Sequence, residues 1–451
     1  MKEKLSKNEM TVEGDINLSE ARKTWLKDQV STEAKTLLEK DAWYFMHQAL
    51  STPCLDVLAN AQGALITNTS GKNYFDFHGN NVHQLGFSHP KLVAALKKQL
   101  DALTFSTRRY TNETAINFAE KLTSLTPGLD KILMTPNGSS AVGIALKLAR
   151  AVTGKYKVLS FWDSFHGASL DVVSVSGESV FREQMGPMMP GVERIPPPIT
   201  YRGIYKNNEE KALEYLEYVL AKDNQIGAFL AETVRNTDAQ IPSKHFWKAA
   251  RKLCDQYGVL LILDEIPIAL GRTGKLFAYE HYDIIPDILC LGKGLGGGII
   301  PQAAIVTKKE FDQFNQISLG HYTFEKSPMG AAAAHTTLEI IEGEHLLEHV
   351  VYLEGMMQAE LNQLQADFEL IGDVRGIGLL WGIELVTSRV TKEKASAQAE
   401  AIMYECLKNG LSFKVSKGNV LQLCPALTIT ETQLAEALNI LRTAFYKITQ
   451  A

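Results

Sequence analysis

The stretch LLILDEIPIALGRTG, residues 260–274, decides how the rest of the chain is read. An unbroken aliphatic run ends in two acids, Asp264 and Glu265, and Pro267, which has no N–H to donate, follows at once. A short apolar run without polar alternation is how a strand covered on both faces reads. Beyond the carboxyl ends of such strands lie the ligand sites of open α/β sheets, so an acid placed there is a candidate for chemistry. On its own, Asp264 suits a turn cap equally well.

Working outward, KVLSFW, IGAFLAE, VLLILDE, DILCLG and AAIVT are all short and nearly continuous in apolar residues. Helical patterns separate them from the amino-terminal side: HPKLVAALKKQLDAL, NETAINFAEKLTSL, and SSAVGIALKLARAVTG, the last closed by Gly154 in C-cap position. Strands alternating with helices predict an α/β fold with a mostly parallel sheet. Before it, residues 17–30 (NLSEARKTWLKDQV) place Asn17 at capping-box spacing from Glu20 and, with STEAKTLLEK, predict two helices forming an arm. ALITNTSGKNYFDFHG predicts a hairpin turning at Ser70-Gly71. After residue 328, long helical patterns and short strands predict an α+β domain. The expected division is 1–85, an amino-terminal arm and small-domain segment; 86–327, the large domain; and 328–451, the carboxyl-terminal small domain.

At 451 residues the chain is too long for one ordinary core. Its net charge is −5 with acids and bases interspersed, which leaves no electrostatic footprint for nucleic acid or an anionic membrane. Five scattered cysteines without a CxxC predict reduced thiols, and neither a disulfide framework nor a zinc ribbon. The polar start MKEKLSKNEMTVEGD lacks the apolar core of a signal peptide, and no stretch reaches the ~18 apolar residues of a membrane span. The expectation is a cytoplasmic protein working on a small molecule.

Lys293 sits in CLGKGLGGG, between Gly292 and Gly294, directly after an apolar strand. Glycines on both sides allow close backbone approach, and a desolvated lysine has the depressed pKa that Schiff-base chemistry needs. A strand-end acid with a glycine-cradled lysine is the pair pyridoxal phosphate requires: the acid holds the pyridine nitrogen protonated and the lysine binds the aldehyde. PNGSSAVGIALKLAR places Gly138, Ser139 and Ser140 at the start of a helix, which favours an anion such as the cofactor's phosphate, although the same residues also make an ordinary N-cap. SFHGAS puts Phe165 at another strand end for ring stacking and His166 beside it as an acid or base. Glu232 ends a further strand. GRTGK lacks the first glycine and the Ser/Thr of a P-loop, and GKGLGGG fits a dinucleotide fingerprint poorly.

In this order, GSSA, FHG, DEI with GRTG, PDILCLGKGLGGG, HYTFEKSP and VRGIGLLWGIEL resemble the class III, fold-type I, pyridoxal-phosphate aminotransferase family from about residue 55 to 445. The resemblance implies a seven-stranded sheet in the large domain and a small domain built from both chain ends. It implies Lys293 as the Schiff-base lysine, Asp264 on the pyridine nitrogen, Phe165 on the ring, and Gly138 and Ser139 around the phosphate. It also implies a homodimer in which Thr323 reaches the phosphate across the subunit interface.

Departures from the family pattern bear on the reaction. Pro267 replaces a glutamine that reaches the cofactor's phenolic oxygen; Ala168 replaces an arginine that holds a substrate carboxylate; Thr233 and Thr237 replace a proline and the glutamate that switches that arginine. Arg108, Arg109, Arg235 and Lys326 are candidate cations for a dianionic phosphonate or phosphate instead. The variants FHGNNVHQLGF, TRRYTNE, DEIP and HYTFEKSP together resemble those of ammonia-releasing lyases on this fold that act on aminophosphonates, which implies that reaction here. The alternatives are an ω-aminotransferase, a phospholyase of a phosphorylated amino alcohol, and a non-catalytic binding protein on this fold, against which the retention of Asp264 and Lys293 argues.

Overall fold

The computed structural model describes residues 18–49 and 51–450. Asn17, the predicted cap, lies outside them; the helix Glu20–Asp28 is capped by Ser19, whose hydroxyl accepts from the Arg22 N–H. That helix is docked rather than free, because the Trp25 indole donates to the Leu55 carbonyl and its ring lies 5.8 Å from that of Tyr404. Among the described residues no helix is long and apolar enough to cross a membrane.

The strands in chain order are β1 Leu58–Gln62, β2 Leu65–Asn68, β3 Asn73–Asp76, β4 Lys131–Thr135, β5 Lys157–Phe161, β6 Val192–Ile195, β7 Ile226–Glu232 and β8 Leu260–Asp264. They continue with β9 Ile288–Leu291, β10 Ala303–Thr307, β11 Ile371–Ile377, β12 Leu380–Leu385, β13 Leu411–Ser412, β14 Lys414–Ser416 and β15 Val420–Leu423. Seven form the central sheet in the order β4-β10-β9-β8-β7-β5-β6. The five from β9 to β6 run parallel, and β10 runs antiparallel to both of its neighbours. Only the residues between Leu291 and Ala303 join β9 to β10, which is too little chain for a helical crossover, so β10 must turn back.

Both faces of this sheet are covered, and the strand side chains divide between them. Ile262, Ala228 and Leu230 join Val142, Ile144 and Ala145 of the helix Gly138–Thr153 on one side. Leu261, Leu263 and Phe229 join Phe246 and Trp247 of the helix Lys244–Tyr257 on the other. This double burial is why the run 260–264 shows no alternation. The two edge strands escape the sequence pattern for the complementary reason: β4 and β6 pair on one side only, and most of their residues are incompletely buried.

The hairpin predicted at Ser70-Gly71 is β2-β3, with Thr67 opposite Asn73. It belongs to a sheet β1-β2-β3-β13 whose last member comes from the far end of the chain and runs parallel to β3. A third sheet, β11-β12-β15-β14, is joined to it where the Cys424 N–H donates to the Phe77 carbonyl at 2.7 Å. The chain ends thus build one structure beside the carboxyl ends of the central strands.

Candidate active site

Register aligns the ends of the central strands: Glu232 is opposite Asp264, and Asp264 opposite Cys290, two residues before the glycine that precedes Lys293. After β5 the chain turns inward through Ser164 to His166. Asp264 is 2 % exposed, and its Oδ2 lies 2.8 Å from His166 Nδ1. Its Oδ1 accepts from the Ile266 N–H, closing the tight turn in which Pro267 sits. A buried carboxylate costs several kcal/mol unless it is matched, and the imidazole supplies only part of the match. His166 Nε2 is buried with no hydrogen-bond partner among the described residues.

Glu265 does different work from its neighbour. It is fully buried and accepts from the Thr233 hydroxyl at 2.8 Å and from the Ala278 and Tyr279 N–H groups at 2.6 and 2.7 Å, so it fixes the loop that follows. Burial pushes its pKa from 4.5 up to about 7, against the pull of those three donors. A carboxyl raised in this way favours the folded state below pH 4.5 and loses that contribution as pH rises through about 7, a change of about 3 kcal/mol. The urea midpoint of the wild type, measured relative to Glu265→Gln, is therefore expected to fall between pH 5 and pH 8. A flat difference over that interval contradicts the assignment.

Lys293 occupies the turn after β9 with φ +48°, a left-handed conformation that a residue with a side chain adopts under constraint. The constraint is local packing: a Cβ on Gly294 would fall 2.0 Å from Gln84 Oε1, and one on Gly292 3.3 Å from the Ile266 side chain. Lys293 is half-buried by surface area, yet its amine is enclosed deeply enough that desolvation lowers its pKa. The Asp264 and Glu232 carboxylates oppose that shift, and Lys414 adds to it. A readily deprotonated amine follows.

Glu232 is buried; its carboxylate accepts from the Phe165 N–H at 3.3 Å and the Asn236 N–H at 3.1 Å, and burial raises its pKa. Phe165 is half-buried, its ring 4.4 Å from that of Phe181. Gly138 begins its helix, Asn137 caps the Ser140 N–H at 2.9 Å, and the Ser139 hydroxyl accepts from the Ala168 N–H at 3.1 Å. Gly167, at φ +139°, has no room for a side chain, since a Cβ would lie 2.4 Å from Ser139 Oγ. The loop after β5 and the start of this helix are therefore locked together, with backbone donors at the helix end.

The proposed substrate cations fall in two places. Arg235 is buried and pairs with Glu178 at 2.9 Å and Asp238 at 3.2 Å. Burial acts to lower its pKa, but these carboxylates and Glu232 outweigh it and raise the guanidinium. Arg108, Arg109, Thr323 and Lys326 are exposed. They belong to two adjoining segments, where Arg108 Nη2 is 2.6 Å from His321 Nε2, Asn112 Nδ2 donates to the Lys326 carbonyl at 3.0 Å, and Phe105 meets Phe324 edge-on at 5.5 Å. Sequence reasoning missed His78, Gln84 and Lys414, which close in on the Lys293 turn from the chain ends, and Asp76, which holds the His78 loop. The run FHGNNVHQ, residues 77–84, holds His78 and Gln84.

This donor set fits pyridoxal phosphate. A buried carboxylate with an incomplete match suits a protonated ring nitrogen, a desolvated lysine suits the aldehyde, and a helix start cleared of side chains by Gly138 and Gly167 suits the phosphate.

Known proteins agree. The family model for class III aminotransferases matches residues 47–445. The (R)-1-hydroxy-2-aminoethylphosphonate ammonia-lyase of Vibrio splendidus is 50% identical over 455 residues, covering 97% of this chain and 95% of its own. The alanine/serine racemase of Pyrococcus horikoshii is 33% identical, covering 85% and 84%. Among solved structures, an amine transaminase from an uncultivated Pseudomonas species in its PLP-bound form superimposes with a TM-score of 0.84 at 27% identity, covering 90% of this chain and 98% of its own. A lyase, a racemase and a transaminase thus share one scaffold. The chain belongs to the class III aminotransferase family, and pyridoxal 5′-phosphate is its cofactor.

Proposed function

We propose that the protein is an ammonia-lyase that converts (R)-1-hydroxy-2-aminoethylphosphonate to phosphonoacetaldehyde and ammonia. The observation that carries this reading is the 50% identity, over nearly the whole of both chains, to the Vibrio splendidus lyase. Ala168 and Thr237, where the family's carboxylate grip and its switch partner stand, accord with a substrate whose anion is not an amino-acid carboxylate.

When bound, pyridoxal phosphate supplies an electrophilic aldehyde for the amine and a ring that takes up an electron pair. Asp264, braced by His166, keeps a proton on the ring nitrogen. Gly138 and Ser139 would hold the phosphate, and in a homodimer Thr323 would reach it across the interface. Phe165 would stack on the ring, and Glu232 ties the Phe165 backbone to Asn236. Lys293, whose amine burial makes easier to deprotonate, would take the proton from the amine-bearing carbon. The hydroxyl on the adjacent carbon leaves as water, and the released enamine takes up water to give the aldehyde and ammonia. One water is lost and one consumed, so no oxidant and no amino acceptor is needed. In this reading 1–85 is an amino-terminal arm and small-domain segment, 86–327 the large cofactor-binding domain and 328–451 the carboxyl-terminal small domain, in a cytoplasmic enzyme.

Purified protein loaded with cofactor is expected to release ammonia from 2-amino-1-hydroxyethylphosphonate with no keto acid present. Ammonia or alanine appearing only after pyruvate is added would instead identify an ω-aminotransferase.

A further inference from the structure

The loop after β7, residues 233–240, leaves the central sheet directly from Glu232 and is closed on itself. The Arg235 N–H donates to the Gln240 carbonyl at 2.9 Å, and the Gln240 N–H returns to the Arg235 carbonyl at 3.2 Å. Its inner side holds the site. The Asn236 N–H donates to one oxygen of Glu232 at 3.1 Å, and the other oxygen accepts from the Phe165 N–H at 3.3 Å. Arg235 pairs with Glu178, whose own N–H donates to the Ser164 carbonyl at 3.0 Å, one residue before Phe165. Both routes end on the backbone at the residue nominated to stack on the cofactor ring.

The outer side of the same loop is held from the carboxyl-terminal sheet. Arg375 Nε, on β11, donates to the Asp238 carbonyl at 2.8 Å, and Gln422 Nε2, on β15, donates to the Asn236 carbonyl at 2.7 Å. Arg375 also pairs with Asp373 and Glu384 at 2.7 and 2.8 Å, so charge matching within its own sheet accounts for it. Gln422 is neutral and 1 % exposed, between Leu421 and Leu423 of the hydrophobic core. Its Oε1 accepts from Ser416 Oγ at 3.4 Å, which turns the amide nitrogen towards the loop. A buried carboxamide is costly unless it is bonded, and the short bond that matches this one crosses to Asn236. Asn236 is thus held at both of its backbone groups, the carbonyl by Gln422 and the N–H by Glu232.

We propose that Gln422 is a positioning residue of the active site: through Asn236 and Glu232 it fixes the backbone of Phe165, and so the seat of the cofactor ring, from the carboxyl-terminal sheet. The assignment rests on the placement of Phe165 against the ring proposed above, and not on which reaction follows. The connection is three hydrogen bonds long, at 2.7, 3.1 and 3.3 Å. Without the first, the Asn236 carbonyl has no fixed direction, and the loop is free to turn its N–H away from Glu232. The second and third bonds then lose their common anchor, because a hydrogen-bonded chain is held by its members together.

The test uses the cofactor-loaded enzyme and two readouts other than turnover: the visible circular dichroism induced in the bound cofactor, and the cofactor's dissociation constant. Gln422→Met keeps the length of the side chain and removes its donor. It is expected to keep the far-ultraviolet spectrum of the wild type, to alter the visible band, and to weaken cofactor binding by about threefold to tenfold. Phe165→Leu is expected to alter the same band, and the double variant to weaken binding by less than the product of the two single effects, since residues in one hydrogen-bonded chain are coupled. In the wild type, cofactor binding is expected to slow amide exchange at Phe165 and Asn236 together, which decides the matter even if Gln422→Met folds poorly. A folded Gln422→Met with the visible band and cofactor affinity of the wild type, independent effects in the double variant, or exchange slowed at Phe165 alone overturns the assignment. A visible band unaltered by Phe165→Leu overturns the placement of Phe165 itself, and the role of Gln422 with it.

Discussion

Replacing Lys293 by alanine is expected to abolish turnover, with a loss of about 10⁴-fold or more, and to remove the borohydride-reducible visible chromophore. Two independent functions are lost in one substitution. On the proposed reading the amine would bond covalently to the cofactor's aldehyde and, once released by substrate, would serve as the base at the amine-bearing carbon. Its turn is rigid: φ is +48°, Gly294 abuts Gln84, and Gly292 abuts Ile266. No other side chain can drift into its place without rebuilding those contacts. Lys293→Arg is expected to fail nearly as completely, since a guanidinium stays protonated. A Lys293→Ala protein that still fixes cofactor on borohydride reduction, judged by mass, contradicts the assignment.

The second large effect is expected at Asp264. Asp264→Asn keeps the size of the side chain and a hydrogen-bonding group towards His166 Nδ1, but removes the charge that, on the proposed reading, would hold a proton on the ring nitrogen. Turnover is expected to fall by about 10²- to 10⁴-fold. The cofactor should also bind less tightly, because a buried ion pair is replaced by a neutral contact while the surroundings stay desolvated. Circular dichroism and melting temperature distinguish this from unfolding. Activity of a folded Asp264→Asn protein within threefold of wild type would remove Asp264 from the mechanism.

These two residues were legible because their signals are local. A strand buried on both faces must be continuously apolar, so the polar residue that ends it stands out, and glycines around a lysine have few other reasons to be there. The Gly138–Ser140 helix start and the Phe165-His166 turn are visible by the same logic. The edge strands β4 and β6 were not, because a strand paired on one side has no need of an unbroken apolar run. The doublet Asp264-Glu265 shows how far local reading reaches. It marks both acids, but alternation of side chains turns one towards His166 and the other towards the Ala278 and Tyr279 amides.

Arg235 and Lys414 show where it stops. In sequence both are lysine- or arginine-bearing stretches of no special pattern, and charge alone nominated Arg235. In the folded chain Glu178 and Asp238 neutralise Arg235, while the charge of Lys414, on β14 beside β15, bears on the Lys293 amine. By itself, the sequence determined the α/β scaffold, the cofactor and the pair Asp264 and Lys293, since burial periodicity and backbone freedom act over a few neighbouring residues. Only the tertiary structure decided how the charges around the site are matched, because a charge is set by its partners, and those partners lie three to hundreds of residues away along the chain.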